Sequence, residues 1–263
     1  MSLRTVETQR HITVRAHDGL RLAATLVTPA TTARRAVLML HGEGATREQD
    51  GFYPRLASDL AGRGATSLRL DLPGHGESEG RQEELSLSGL LNIIGAGLAH
   101  LRENVPDTSV ALVATGLTGG VAAGYAARKG PEVDRLVLLN PLIDYKEHFV
   151  DAQPAWTGDF LDEPAARTLS ADGRLALSPT FAVGRAMLNE VFWLQPRGVL
   201  GMIAAPTLIV HGAGPTDVPV ESSRAAADAL TCSHRLVEIT GPQRDYWQAP
   251  VIRVATDWII ADN

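Results

Sequence analysis

The chain holds one cysteine, Cys232, in 263 residues. A single thiol excludes an internal disulfide framework and a cysteine-rich metal site, and it points to a cytoplasmic setting. Lysine is nearly absent, at Lys129 and Lys146 only, while arginine is common. That bias suggests a GC-rich bacterial source and carries no mechanistic weight. No run of about 18 uninterrupted apolar residues exists, so no membrane partner is expected. The opening "MSLRTVETQR" is polar, without the apolar core of a signal peptide. Basic residues do not dominate: the net charge is −6, which argues against nucleic acid as the main partner. There is no dinucleotide fingerprint, no P-loop and no metal-ligand cluster, so the chain is expected to work with no cofactor. The most telling absence is local. "ALVATGLTGGVAAGYAA" reads as a buried strand, a glycine-rich corner and a small-residue helix, yet no serine or cysteine lies between Val110 and Gly130.

What is present organises as alternating strands and helices. "HITVRAHDGLRLAATLVTP" alternates in period two around Asp18-Gly19, the pattern of a β-hairpin. "RRAVLMLHGEG" is a continuous apolar run, expected of a strand buried on both faces. From Ser86, apolar residues at Leu87, Leu90, Leu91, Ile94, Leu98 and Leu101 place one stripe on a helix. Strands are expected at Val110–Val113, "DRLVLLNP", "APTLIVHG" and "HRLVEITG", with helices at Gly120–Lys129, Glu221–Leu230 and Ala249–Ile260. The alternation predicts an α/β fold: a mostly parallel twisted sheet with helices on both faces. Residues 143–203 break the rhythm. About 60 residues without a clear strand exceed a plain connection, so they are read as an inserted helical cap over a core formed by residues 1–142 and 204–263.

Four motifs, in order, resemble the α/β-hydrolase superfamily. "LMLHGEG" resembles its oxyanion-loop strand, and "RLDLPGHGES" its D-x-x-G-x-G-x-S loop. "TLIVHG" followed by "VPVESSRAAADAL" is similar to the strand that presents the catalytic acid, and "RLVEITG" to the strand before the histidine loop. The cap sequence "NPLIDYKEHFVDAQPAW" is similar to that of a serine-aminopeptidase-like or acyl-ester hydrolase subgroup. The resemblance implies the α/β-hydrolase fold with a cap and a G-x-S-x-G nucleophile turn.

Carried over without gaps, "LVATGLTGGVA" puts Gly116 at the nucleophile, with Ala114 and Thr118 at the flanking positions. A shift of one residue would put Leu117 there. A shift of two would make Thr118 the nucleophile but lengthen the strand before it. The acid position falls on Pro215, with Asp217 two residues on, either swinging in or lying on a solvated loop. The histidine position falls on Arg244, which stays protonated at neutral pH and cannot be a general base. It can hold an anionic group or form an ion pair at the surface.

Around this degenerate triad the resemblance leaves several polar groups. Glu43, Tyr145 and Asp217 are the candidate acid/base residues, Glu43 the sharpest because a carboxylate beside an apolar pocket can serve as acid or base. Gly42, Thr115, Gly116, Leu117, Asp144, Trp156, Asn189, Trp193 and Arg244 are candidates for substrate contact. The N–H groups of Leu117 and of the Gly42–Glu43 segment are expected to form an anion-holding pair. His41, His75 and Asp71 are expected to be structural. Three functions follow. The first is a non-hydrolytic cyclase, lyase or isomerase acting on an apolar, polyketide-like small molecule in bacterial specialised metabolism. The second is a ligand- or partner-binding pseudohydrolase, and the third a residual esterase or thioesterase using Thr118. A homodimer is left open by the composition.

Overall fold

The computed structural model describes residues 7–212, 218–239 and 248–261. The chain opens with a hairpin of β1 (Thr8–Arg15) and β2 (Arg21–Thr28), paired antiparallel. Its turn forms where the sequence predicts it. Asp18 Oδ1 accepts from the Leu20 N–H at 3.1 Å, and Gly19 takes φ +95°, a conformation open to glycine.

Alternation then takes over: β3 (Arg35–Leu40), α1 (Phe52–Gly62), β4 (Ala65–Leu70), α2 (Leu87–Asn104), β5 (Ser109–Thr115), α3 (Leu117–Arg128) and β6 (Arg135–Leu139). Helix α2 starts because Ser86 caps it, its hydroxyl accepting from the Gly89 N–H. Next come β7 (Trp156–Thr157), β8 (Phe160–Leu161), α4 (Glu163–Asp172), β9 (Arg174–Ser178), β10 (Phe181–Gly184) and α5 (Arg185–Glu190). The chain ends with β11 (Thr207–Gly212), α6 (Val220–Ala229), β12 (His234–Ile239) and α7 (Gln248–Ile260).

Eight strands form one sheet in the order β1-β2-β4-β3-β5-β6-β11-β12, parallel from β4 to β12. Every residue of β3, β4, β6 and β11 is buried, as expected for strands covered on both faces. Alternate residues feed two cores. Val37, Met39, Val113 and Val210 face α1 and α7, while Leu38, Leu40, Leu112 and Ile209 belong to the core that includes α2 and α3. Because β4 lies on one side of β3 and β5 on the other, the strand order reverses at β3. Such a reversal opens a crevice at the carboxyl ends of the strands, where ligands bind in this class of sheet.

The long insertion differs from the helical cap expected from sequence. It carries four short strands besides its helices, paired only as β7 with β8 and β9 with β10 in two small sheets of their own. The Pro/Gly/Asp-rich stretches that looked irregular are their turns: Gly158 takes φ +59° between β7 and β8, and Ser178-Pro179-Thr180 links β9 to β10. Among the described residues no helix is long and apolar enough to cross a membrane.

Candidate active site

Strand β5 ends at Thr115 and α3 begins at Leu117, so Gly116 alone turns the chain. Its φ of +56° and ψ of −122° lie where a residue with a side chain is strained. Three backbone bonds of 3.0 Å pin it: its N–H donates to Leu139, and its carbonyl accepts from Gly119 and Leu142. This places Gly116 at the apex, the ungapped reading of the sequence. Helix α3 starts three residues earlier than periodicity suggested.

Thr118 lies in the first turn of that helix, buried. Its hydroxyl sits 2.9–3.1 Å from the carbonyls of Leu40, His41 and Thr115 and accepts from the Thr115 N–H. The hydroxyl proposed as an alternative nucleophile is therefore turned back into the strand ends, away from the apex.

The loop after β3 brings the second component. His41 Nε2 accepts from the Leu72 N–H at 3.0 Å, which leaves Nδ1 to donate to the Gly42 carbonyl at 2.7 Å. Burial is the main force that lowers its pKa to about 4, so the ring is neutral. His75 is held the same way, donating to the Pro73 carbonyl and accepting from the Gly44 N–H, and burial lowers its pKa too. Asp71 is fully buried and accepts from the N–H groups of Arg47 and Glu77 and from the Arg47 guanidinium. All three are structural, as their sequence context suggested.

Glu43 is different. Its Oε2 accepts from the Leu117 N–H at 2.9 Å. A Cβ placed on Gly116 would lie 2.6 Å from that same oxygen and 3.3 Å from the carboxyl carbon. The Glu43 carboxylate therefore fills the space a side chain at the apex would take. The other expected anion donor is taken as well, since the Gly42 N–H donates to Gln49 Oε1 at 2.9 Å. Of the expected anion donors, the Leu117 N–H thus carries a carboxylate and the Gly42 N–H a carboxamide oxygen of the chain itself. Gln49 was not foreseen. Its only mark is a backbone φ of +43°, which no sequence pattern announces.

Tyr145 reaches the same turn from the insertion. Its hydroxyl donates to the Leu117 carbonyl at 2.9 Å, and its own N–H donates to Gln195 Oε1. Burial first, and the negative charge of Glu43 second, push the phenol well above its ordinary pKa, so it keeps its proton. Glu43 and Tyr145 thus hold the two polar ends of Leu117. Thr115 turns to Tyr53, their hydroxyl oxygens 2.8 Å apart.

Asp144 caps the turn after it, accepting from the Glu147 N–H at 3.0 Å. Trp156 packs edge-on against Phe192 at 5.6 Å within the insertion. Asn189 and Trp193 are exposed, Trp193 to 85 %, while the buried face of this segment is Met187, Leu188 and Val191. Asp217 and Arg244 lie outside the described residues, as does Pro215.

Comparison with known proteins agrees with this architecture. The family described as serine aminopeptidase, S33, matches residues 31–169. The chain is 24% identical over 266 residues to a monoacylglycerol lipase of Mycolicibacterium smegmatis, covering 92% of this chain and 94% of the lipase. It is 23% identical to a 2-hydroxy-6-oxo-6-(2'-aminophenyl)hexa-2,4-dienoic acid hydrolase of Metapseudomonas resinovorans, covering 74% and 72%. The solved structure of Est1E from Butyrivibrio proteoclasticus with ferulic acid bound superposes with a TM-score of 0.80 at 20% identity, covering 95% and 98%. The fold is that of an α/β hydrolase.

Proposed function

The chain belongs to the serine aminopeptidase (S33) family of α/β hydrolases, and from that premise we propose that it does not hydrolyse through a side-chain nucleophile. It acts instead as an acid/base enzyme, of cyclase, lyase or isomerase type, on an apolar small molecule. Members of this fold attack from the apex of the strand–helix turn. Here the apex is Gly116, and the observation that carries the reading is the Glu43 carboxylate seated on it, held by the Leu117 N–H.

A carboxylate in that position takes a proton from a carbon next to a carbonyl, or from a hydroxyl. The electron pair of the broken C–H bond moves into the carbonyl. Return of the proton to another carbon gives isomerisation, and loss of a β-substituent gives elimination. Tyr145 positions the turn through the Leu117 carbonyl and stays neutral beside the charge. An apolar substrate fits relatives named as lipases.

The test is deuterium exchange. Enolisable ketones and β-keto esters are incubated with the protein in D2O and followed by proton NMR. Wild type is expected to exchange the α-protons of at least one compound, with Glu43→Gln slower by about 10²-fold or more. Equal rates in the two proteins would refute the role of Glu43.

A second reading rests on a specific observation: the Leu117 N–H, which would serve a reacting oxygen, is already bonded to the Glu43 carboxylate. A ligand-binding protein without turnover fits that closure. Saturable binding with no exchange in wild type would decide for it.

A further inference from the structure

Beside the apex, where the carboxyl ends of β5, β6 and β11 meet, lies a recess of about 40 Å³. Gln49, Phe52, Thr115, Asn140, Val210 and Val251 line it. Its polar side chains each have part of their hydrogen-bonding capacity fixed. Gln49 Oε1 accepts from the Gly42 N–H at 2.9 Å, and Asn140 Oδ1 accepts from the Gly212 N–H at 2.8 Å. Only the oxygen of a carboxamide accepts strongly, so the nitrogen of each side chain remains as a donor.

Thr115 is the converse. The buried Tyr53 hydroxyl donates to the Leu40 carbonyl at 2.7 Å, a group that only accepts. The 2.8 Å contact between Tyr53 and Thr115 therefore has Thr115 as donor. The single hydrogen of Thr115 is spent, and its lone pairs remain. Gln49 and Asn140 also adopt φ of +43° and +44°, left-handed backbone that gathers at ligand clamps. Among the described residues that line it, none is charged.

We propose that this recess binds a neutral terminal group carrying a carbonyl acceptor and an N–H donor side by side, a primary carboxamide being the simplest. Its oxygen accepts from the amide nitrogens of Gln49 and Asn140, and its nitrogen donates to Thr115 Oγ1. At about 10–15 Å³ for each water-sized atom, the space holds roughly three heavy atoms, the number in a carboxamide. A carboxylate of the same shape has no hydrogen for Thr115 and meets no counter-charge among the described lining residues. A methyl ketone of the same shape lacks the donor. This site is a binding assignment and stands whether or not Glu43 turns a substrate over.

Acetamide, acetone and acetate share one shape and differ only in that group. Each is titrated into ¹⁵N-labelled protein while the amide resonances of Thr115 and Asn140 are followed. Acetamide is expected to shift them with a dissociation constant lower than those of acetone and acetate by about fivefold, the effect of one added hydrogen bond. In Thr115→Val, which keeps the shape and removes the acceptor, the advantage of acetamide over acetone should vanish. Binding of acetone or acetate as tight as acetamide overturns the proposal, as do shifts that fall elsewhere or an unchanged preference in Thr115→Val. The ranking in wild type decides alone if that variant does not fold.

Discussion

A carboxylate oxygen 2.6 Å from the point where a side chain at residue 116 would begin means that any such side chain must displace Glu43 from its present position. Gly116→Ser sets a Cβ against Glu43 and also forces a side chain into φ +56°. The strained backbone alone costs about 1–3 kcal/mol. The single variant should therefore melt well below wild type and stay inert to fluorophosphonate probes. Adding Glu43→Ala should recover part of the lost melting temperature. No recovery in the double variant would mean that the two side chains do not share that space. A second residue-scale prediction concerns His41. Its neutral ring has a pKa of about 4 in the fold against 6.5 for the free side chain, chiefly through burial. Between those values the unfolded chain binds a proton that the folded chain does not. Stability is therefore full above pH 6.5 and falls as pH drops towards 4, by about 1.4 kcal/mol per pH unit for this site. NMR titration should find the His41 ring neutral at pH 5.5; a midpoint near 6.5 would contradict its buried hydrogen bonds.

At the scale of elements, the start of helix α3 packs closely against the segment after β6. A Cβ on Gly120 would fall 2.2 Å from the Leu142 carbonyl oxygen and 2.5 Å from the Tyr145 hydroxyl. Gly120→Ala must push the helix away from that segment, and overpacking of this kind costs about 1–3 kcal/mol. Chemical denaturation should show that loss, whereas Gly124→Ala, one turn further on, meets nothing within 4 Å and should be neutral or stabilising. Equal effects at the two positions would show that α3 is not clamped at its start. The same contact explains why α3 was hard to bound from sequence. Gly119 and Gly120 weaken a helical reading by propensity, and only tertiary packing accounts for them.

For the whole molecule, the parallel sheet was legible because burial on both faces writes itself as continuous apolar runs, as in "AVLML" and "ALVA". Helix α2 was legible from its apolar stripe, and the Asp18-Gly19 hairpin from its turn residues. The small hairpins of the insertion were not, since strands of two to five residues carry too little periodicity to stand out from turn residues. In the site, the glycine corner at Gly116 between β5 and α3 was legible. Gln49, Asn140 and the direction of Thr115's hydrogen were not, because they depend on strained backbone and on partners far apart in sequence. Trp193 looked like a ligand contact by residue type, yet burial in the insertion went to Val191 and Met187.

The central claim is that the Glu43 carboxylate occupies the apex and holds the Leu117 N–H. The most direct measurement is the Leu117 amide proton shift, compared by NMR at one neutral pH in wild type and in Glu43→Ala. The account predicts a resonance held downfield in wild type by the carboxylate hydrogen bond, and an upfield move in the variant larger than that of amides away from the turn. A Leu117 resonance at the same shift in both proteins would contradict it.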